Sequence, residues 1–147
     1  MNEHPWEKKY SSDILYRNNY PFDIIVSLVI KKFRQIGRKI RVLELGCGCG
    51  NNLIPLADYY EYAYGIDVSP TALDYARSWA AKDSKDNLNF LIKDLNEEFF
   101  LDYNKKFDLI FDRACLSLII PNRLEDLISK LSKNYLESDG NLFLSLY

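Results

Sequence analysis

Three glycines at every second position, Gly46, Gly48 and Gly50, follow directly on the apolar run from Ile40 to Leu45. That juxtaposition narrows what the chain can fold into. A short run carrying Val42, Leu43 and Leu45 reads as a buried strand, and the glycines behind it let the backbone turn sharply and come close to a ligand. The next stretch, Asn51 to Tyr60, is expected to be helical and to offer free amide groups to a carboxylate at its start. Strand, tight turn and helix in this order open an α/β domain. In the dinucleotide fingerprint a third glycine stands three residues after the second, and Asn51 holds that place here, so a nicotinamide cofactor is disfavoured.

The rest of the chain repeats the unit. Tyr20 to Ile36 reads as an amphipathic helix started by Pro21 and ended by Gly37, with Ile25, Leu28, Val29, Phe33 and Ile36 on one stripe. Tyr62 to Ile66 is a second strand, and Ser69 with Pro70 supplies a cap and first-turn residue for a helix that turns Leu73, Ala76, Trp79 and Ala80 inward. A third strand covers Leu88 to Ile92, an irregular acidic segment runs from Leu95 to Asn104, and a buried fourth strand covers Phe107 to Phe111. Behind Pro121 and Asn122, the residues Leu124, Leu127, Ile128, Leu131 and Tyr135 recur at helical spacing. Asp139 and Gly140 then turn the chain into a fifth strand, Asn141 to Tyr147. Strands alternating with helices favour parallel pairing with helices on both faces, so the expected architecture is a doubly wound parallel sheet.

Composition bounds the functional classes. The 147 residues are 48% apolar and 27% charged, which suits one globular domain with a core of its own. The net charge of -2, with lysines spread along the chain, advertises no phosphate backbone as partner, so no nucleic-acid role is expected. Ile24 to Ile30 is too short to cross a bilayer, and Glu3, Glu7, Lys8 and Asp13 interrupt any secretory leader, so the expected location is cytoplasmic with no membrane role. Cys47, Cys49 and Cys115 are odd in number and fit reduced thiols; two thiols two apart fall short of a tetrahedral metal site, and no metal is expected. His4, the single histidine, lies in the N-terminal tail and is not expected to be catalytic.

At the strand ends the sequence resembles a known family. Glu44-Leu45-Gly46-Cys47-Gly48-Cys49-Gly50 resembles the acidic-x-Gly-x-Gly-x-Gly signature of class I S-adenosylmethionine-dependent methyltransferases. Three further segments agree in order: Gly65-Ile66-Asp67-Val68-Ser69, Lys93-Asp94-Leu95, and Phe107-Asp108-Leu109-Ile110-Phe111-Asp112. The turn that often reads Pro-Gly-Gly before strand five is Ser138-Asp139-Gly140 here, a mild departure. The resemblance implies a Rossmann-like sheet of order 3-2-1-4-5 that binds S-adenosylmethionine over strands one to three. It assigns Gly46, Cys47, Gly48, Gly50 and Asn51 to the cofactor turn, Asp67 with Val68 to the ribose hydroxyls, and Asp94 with Leu95 to the adenine. Glu44 serves either the cofactor amine or a structural contact, and Asp112 closes the cofactor set.

The implied reaction is displacement at a sulfonium methyl, which chiefly needs alignment and exclusion of water. For a hydroxyl or ammonium acceptor Asp112 is the expected general base, with Arg113 orienting an anionic acceptor. Asp112-Arg113-Ala114-Cys115 lacks the Pro-Pro-aromatic pattern of family members that act on nucleic-acid bases, so a small-molecule acceptor is expected. The alternative is a non-catalytic cofactor-binding or scaffold subunit beside an active partner. Trp6, Tyr10, Tyr16 and Tyr20 either form a lid over the cofactor or pack on the helical layer. The expected division is residues 1–37 as lid and helix and 38–147 as Rossmann-like core. The family's fold continues past strand five with an antiparallel hairpin. The apolar edge Phe143, Leu144, Leu146 and Tyr147 is therefore expected to belong to a longer protein, or to be masked by a partner or a second copy of the chain.

Overall fold

The computed structural model describes residues 3–13, 16–101 and 106–145. Helix α1 (Pro5–Ser12) comes first, then α2 (Asp23–Ile36), β1 (Ile40–Leu45), β2 (Tyr60–Asp67), α3 (Pro70–Lys82), β3 (Leu88–Ile92), β4 (Phe107–Asp112), α4 (Pro121–Lys130) and β5 (Leu136–Phe143). The five strands form one sheet of order β3-β2-β1-β4-β5, and every neighbouring pair is parallel. This is the doubly wound arrangement that the strand and helix alternation predicts, because each right-handed crossover returns the chain to the same edge of the sheet.

Alternation along the strands divides the core in two. Val42 faces one layer with Ile25 and Val29 of α2, Leu53 and Ile54 of the turn after β1, and Leu73, Ala76 and Ala80 of α3. Leu43 and Leu45 face the other, with Leu95, Phe99 and Leu101 of the segment after β3 and Leu127, Leu131 and Tyr135 of the C-terminal helical region. The carboxyl ends of β1, β2, β3 and β4 thus open on one edge between two helical layers.

Four boundaries differ from the sequence-based expectation, each for a local reason. Asn51 to Tyr60 does not form an α-helix. Turns lead to a single 3₁₀ turn at Ala57–Tyr59, because Pro55 brings no amide hydrogen and disfavours helical geometry at Ile54. Strand β2 consequently starts at Tyr60. Helix α2 begins at Asp23 and not at Pro21, since the amide of Phe22 and the carbonyl of Tyr20 are engaged by the side chains of Asn52 and Asn51. The helix after Pro121 widens into one π-type turn, Leu131–Tyr135, before β5. Strand β5 starts at Leu136. Its ladder pairs Leu136 with Phe107 and then jumps so that Asn141 pairs with Leu109, which makes Asp139 and Gly140 part of a bulge in the strand. Phe143 and Leu144 are half-buried against the two cores, while Leu146 and Tyr147 lie outside the described residues. Among the described residues no helix is long and apolar enough to cross a membrane.

Opposite the glycine turn, at the amino ends of the strands, Asp108 fastens β1 to β4. Its carboxylate accepts from the Arg41 amide at 2.8 Å, from Arg41 Nη2 at 3.0 Å and from Arg38 Nη2 at 2.9 Å, and Arg41 also reaches Glu137 of β5 at 3.1 Å. Burial alone would raise the Asp108 carboxyl; the arginine and amide bonds outweigh it and hold it down at about 2. A carboxyl depressed in the folded state stabilises above its unfolded value near 3.9 and loses that contribution as pH falls toward the folded value. Acid titration of the wild type is therefore expected to show about 2 kcal/mol lost between pH 4 and 2. D108N is expected to lower stability at neutral pH by a similar amount and to flatten that acid limb, as read by urea denaturation.

Candidate functional site

The turn after β1 is left-handed three times over. Gly46, Gly48 and Gly50 have φ of 69°, 51° and 81°, a region that side chains disfavour. At Gly46 the space is also closed, because an ideal Cβ there would stand 2.4 Å from Cys115 Cβ; at Gly48 it would stand 2.5 Å from the hydroxyl of Tyr10. Gly46 lines a crevice of about 380 Å³ at the carboxyl ends of the strands, and Gly48 lies against Tyr10, which lines the same crevice.

Gly46, Asp67, Val68, Asp94 and Leu95, all singled out in the sequence, meet along this crevice. Asp67 ends β2 and is buried. Its Oδ2 accepts from the Gly48 amide at 2.9 Å and its Oδ1 from the Ser69 amide at 2.9 Å, so one carboxylate ties the glycine turn to the start of α3. Burial pushes the carboxyl up, and the amides of Ser69, Gly48 and Val68 together with the His4 imidazole act in the other direction. Asp94, behind β3, receives the Asn96 amide at 2.9 Å, and the Asn96 side chain in turn accepts from the Ile120 amide at 2.9 Å. Asn96 thereby joins the loop after β3 to the start of α4.

The aromatic N-terminal segment covers the crevice. His4, Trp6 and Tyr10 line it, and Trp6, Tyr10 and Tyr16 pack as a cluster with ring centroids 6.2 to 6.4 Å apart. Glu7 on the same helix reaches across to α3, where it accepts from the hydroxyls of Ser69 and Thr71 and from the Thr71 amide at 3.2 Å. A carboxylate at the first turn of α3 is favoured by the amides left unpaired there. Burial alone would raise Glu7, but these hydrogen bonds outweigh it and hold the carboxyl below the ordinary glutamate range. Tyr20 stands apart, strongly exposed, with its carbonyl bonded by Asn51 Nδ2 at 3.0 Å.

Three of the sequence candidates lie behind the crevice wall. Glu44 is fully buried. Its Oε1 accepts from Asn52 Nδ2 at 2.7 Å and its Oε2 has no protein partner. Burial drives its carboxyl well above the ordinary value, opposed by the Asn52 bond and reinforced by Asp67 and Asp112. Asp112 is also fully buried, and it accepts from the amides of Cys115, Leu116 and Ser145 at 2.8, 3.0 and 3.3 Å. That is the geometry of a loop anchor joining β4 to the end of β5. Cys47 packs beneath Gly65, where a Cβ would stand 2.7 Å from its sulfur. Arg113 does line the crevice, with its guanidinium 4.6 Å from the centre of the Phe22 ring. The Cys115 thiol is in the same wall, pushed up to about 12 by burial and by Asp112, and so stays protonated at neutral pH.

Glu7, His4, Asn52 and Cys115 carry no signature in the sequence. Each gains its place through contacts with residues distant in the chain, apart from the Asn52 bond to Glu44, which the Asn51-Asn52 pair behind the glycines could have suggested.

A parallel sheet of order 3-2-1-4-5, with a glycine turn on its central strand and an acidic residue closing the next, defines the Rossmann-like cofactor-binding class. The family model that matches residues 36–145 is that of a methyltransferase domain, and the chain belongs to that family. Thiocyanate methyltransferase 1 of Brassica oleracea is 28% identical over 149 aligned residues, covering all of this chain and 63% of that protein. The tRNA N(3)-cytidine methyltransferase METTL2 of Gallus gallus is 31% identical over 112 residues, covering 73% of this chain and 30% of that protein. Among solved structures, the PH0226 protein of Pyrococcus horikoshii superposes with a TM-score of 0.69 at 21% identity over 93% of this chain and 64% of its own. CalS10, an amino pentose methyltransferase from Micromonospora echinaspora, gives 0.69 at 16% identity over 100% of this chain and 58% of its own. The chain thus spans less than two thirds of the length of each.

Two outcomes follow from the crevice geometry. Gly37 shares the left-handed φ of Gly46, at 73°, but a Cβ placed there would meet nothing within 4 Å. G37A is therefore expected to cost about 1 kcal/mol of backbone strain alone, and G46A at least twice that because of Cys115, measured by chemical denaturation. E7Q is expected to speed amide hydrogen exchange through residues 5–12 several-fold at neutral pH. In the wild type the same acceleration is expected only in acid, as Glu7 becomes protonated.

Proposed function

We propose that this chain binds S-adenosylmethionine across the carboxyl edge of its sheet and directs the methyl group to a small-molecule acceptor. The observation that carries the reading is the Asp67 carboxylate, which is buried, fixed by one amide on each oxygen and left with a free lone pair on each for the hydrogens of a ribose diol. The donor set fits such a group elsewhere as well. Gly46 and Gly48 take left-handed backbone that side chains disfavour, and at Gly46 a Cβ would also meet Cys115. Glu44, Asp67 and Asp112 stand at the ends of adjacent strands, and of the three Asp67 lines the crevice.

In this reading Gly46, Cys47, Gly48 and Gly50 form the turn under the methionyl part, Asp67 and Val68 hold the ribose, and Asp94 and Leu95 face the adenine. Asn51 acts through the Tyr20 segment that it ties down. When bound, the cofactor supplies a methyl group on a positively charged sulfur. Asp112 is assigned the role of anchoring the loop after β4, because its oxygens already serve three amides. Arg113 and the apolar wall of Leu118 and Ile119 then orient an acceptor that arrives as its own nucleophile, a small anion, and α1 excludes water above it. The thiocyanate methyltransferase among the relatives is named for such an acceptor.

Calorimetric titration with S-adenosylmethionine tests the first half. Binding by the wild type and a loss of about tenfold or more in D67N are expected, the range for a hydrogen-bonded charged group. No binding to the wild type sinks the reading. Turnover with thiocyanate, iodide and small thiolates tests the second half; cofactor binding without turnover of any of them favours a scaffold subunit instead.

A further inference from the structure

A carboxylate can take the hydrogens of a diol but can give none in return. Asp67 already accepts the Gly48 and Ser69 amides, and its remaining lone pairs suit two incoming hydroxyl hydrogens. The hydroxyl oxygens of such a diol bring acceptor capacity of their own, and where the ligand is buried against the wall those oxygens also need donors. The donor must come from a wall that faces Asp67.

His4 stands in that position. It lines the crevice together with Asp67 and Val68. Its ring orientation is set by the fold. Nδ1 accepts from the Trp6 amide at 3.3 Å as the cap of α1, so in the neutral ring the proton resides on Nε2. Helix α1 is itself held in register by Glu7 on Ser69 and Thr71, and Ser69 donates its amide to Asp67. The carboxylate and the imidazole are thus mounted on one hydrogen-bonded frame, although 63 positions separate them in the chain. Other donors in the wall are the Trp6 indole and the Tyr10 hydroxyl on α1, and Lys93, Asn96 and Arg113 in the loops after β3 and β4.

We propose that His4 is a cofactor-contact residue whose Nε2–H donates to a ribose hydroxyl while Asp67 accepts the hydrogens of the diol. The inference rests on the cofactor reading above. It assigns binding to a residue of the N-terminal segment that lies outside the glycine, Asp67 and Asp94 motifs.

H4N separates the contact from the helix cap, because asparagine is among the best capping residues and its side-chain oxygen can replace Nδ1, whereas its short amide cannot reach as Nε2 does. The probes are S-adenosylhomocysteine and its 2′-deoxy and 3′-deoxy analogues, titrated calorimetrically into wild type and H4N, with thermal melts of both proteins. Expected is a three- to tenfold weakening, about the worth of one hydrogen bond, for S-adenosylhomocysteine in H4N at an unchanged melting temperature. The weakening should vanish for whichever analogue lacks the contacted hydroxyl. Equal affinity of wild type and H4N for S-adenosylhomocysteine, or an equal loss across all three ligands, overturns the assignment. Failure of the wild type to bind any of the three overturns the cofactor reading itself, and is thereby told apart from failure of the His4 contact alone. H4A, which removes cap and contact together, should show the same loss plus a lowered melting temperature.

Discussion

The contact on which the carboxyl edge of this domain depends is the pair of amide bonds accepted by Asp67. One comes from Gly48 in the turn after β1, and the other from Ser69 at the start of α3. A carboxylate bonded on each oxygen to a fixed amide keeps its orientation even when buried, where its charge is otherwise costly. That single side chain fixes the distance between the first glycine turn and the second helix start. The Ser69 hydroxyl then carries the frame outward to Glu7, so the covering helix is referred to the same point. Gly48 must be glycine here, since its φ is positive and the Tyr10 hydroxyl occupies the space a Cβ would need.

Charge is distributed unevenly between the two edges of the sheet. At the amino ends Asp108 is surrounded by Arg38 and Arg41, and its carboxyl is held far down. At the carboxyl ends Glu44, Asp67 and Asp112 sit on adjacent strands, and burial pushes each of them up. The first arrangement is neutralised within the protein and serves stability. The second has no cationic side chain paired to it among the described hydrogen bonds and ion pairs, and burial there favours the protonated acids, a departure from ordinary values of the kind that gathers at functional sites.

Asp112 and His4 show the limits of reading roles from strand ends. At the carboxyl end of β4, where a base is expected, Asp112 accepts from the amides of Cys115, Leu116 and Ser145, the last brought in by β5. His4 is not expected to be catalytic from its place in the N-terminal tail, and α1 folds back across the strand ends so that this residue lines the crevice. In both cases the decisive partner is remote in sequence and near in space.

The chain's own pattern determined the sheet. Apolar runs of strand length, glycines at the first turn, Ser69 with Pro70 before α3 and helical spacing behind Pro121 are local signals, and local sterics and periodicity suffice to read β1, β3, β4 and a parallel sheet, while the 3-2-1-4-5 order came from the family resemblance. That Gly46, Asp67, Asp94 and Leu95 stand together at the strand ends was legible through the resemblance, since its motifs occupy fixed offsets from those ends. Tertiary structure alone decided the early start and bulge of β5, the latching of α1 by Glu7, and the pairing of Glu44 with Asn52 and of Asp112 with three amides. Hydrogen bonds between distant backbone and side-chain groups govern these features. Which donor meets which acceptor is fixed only when the packed layers bring them together.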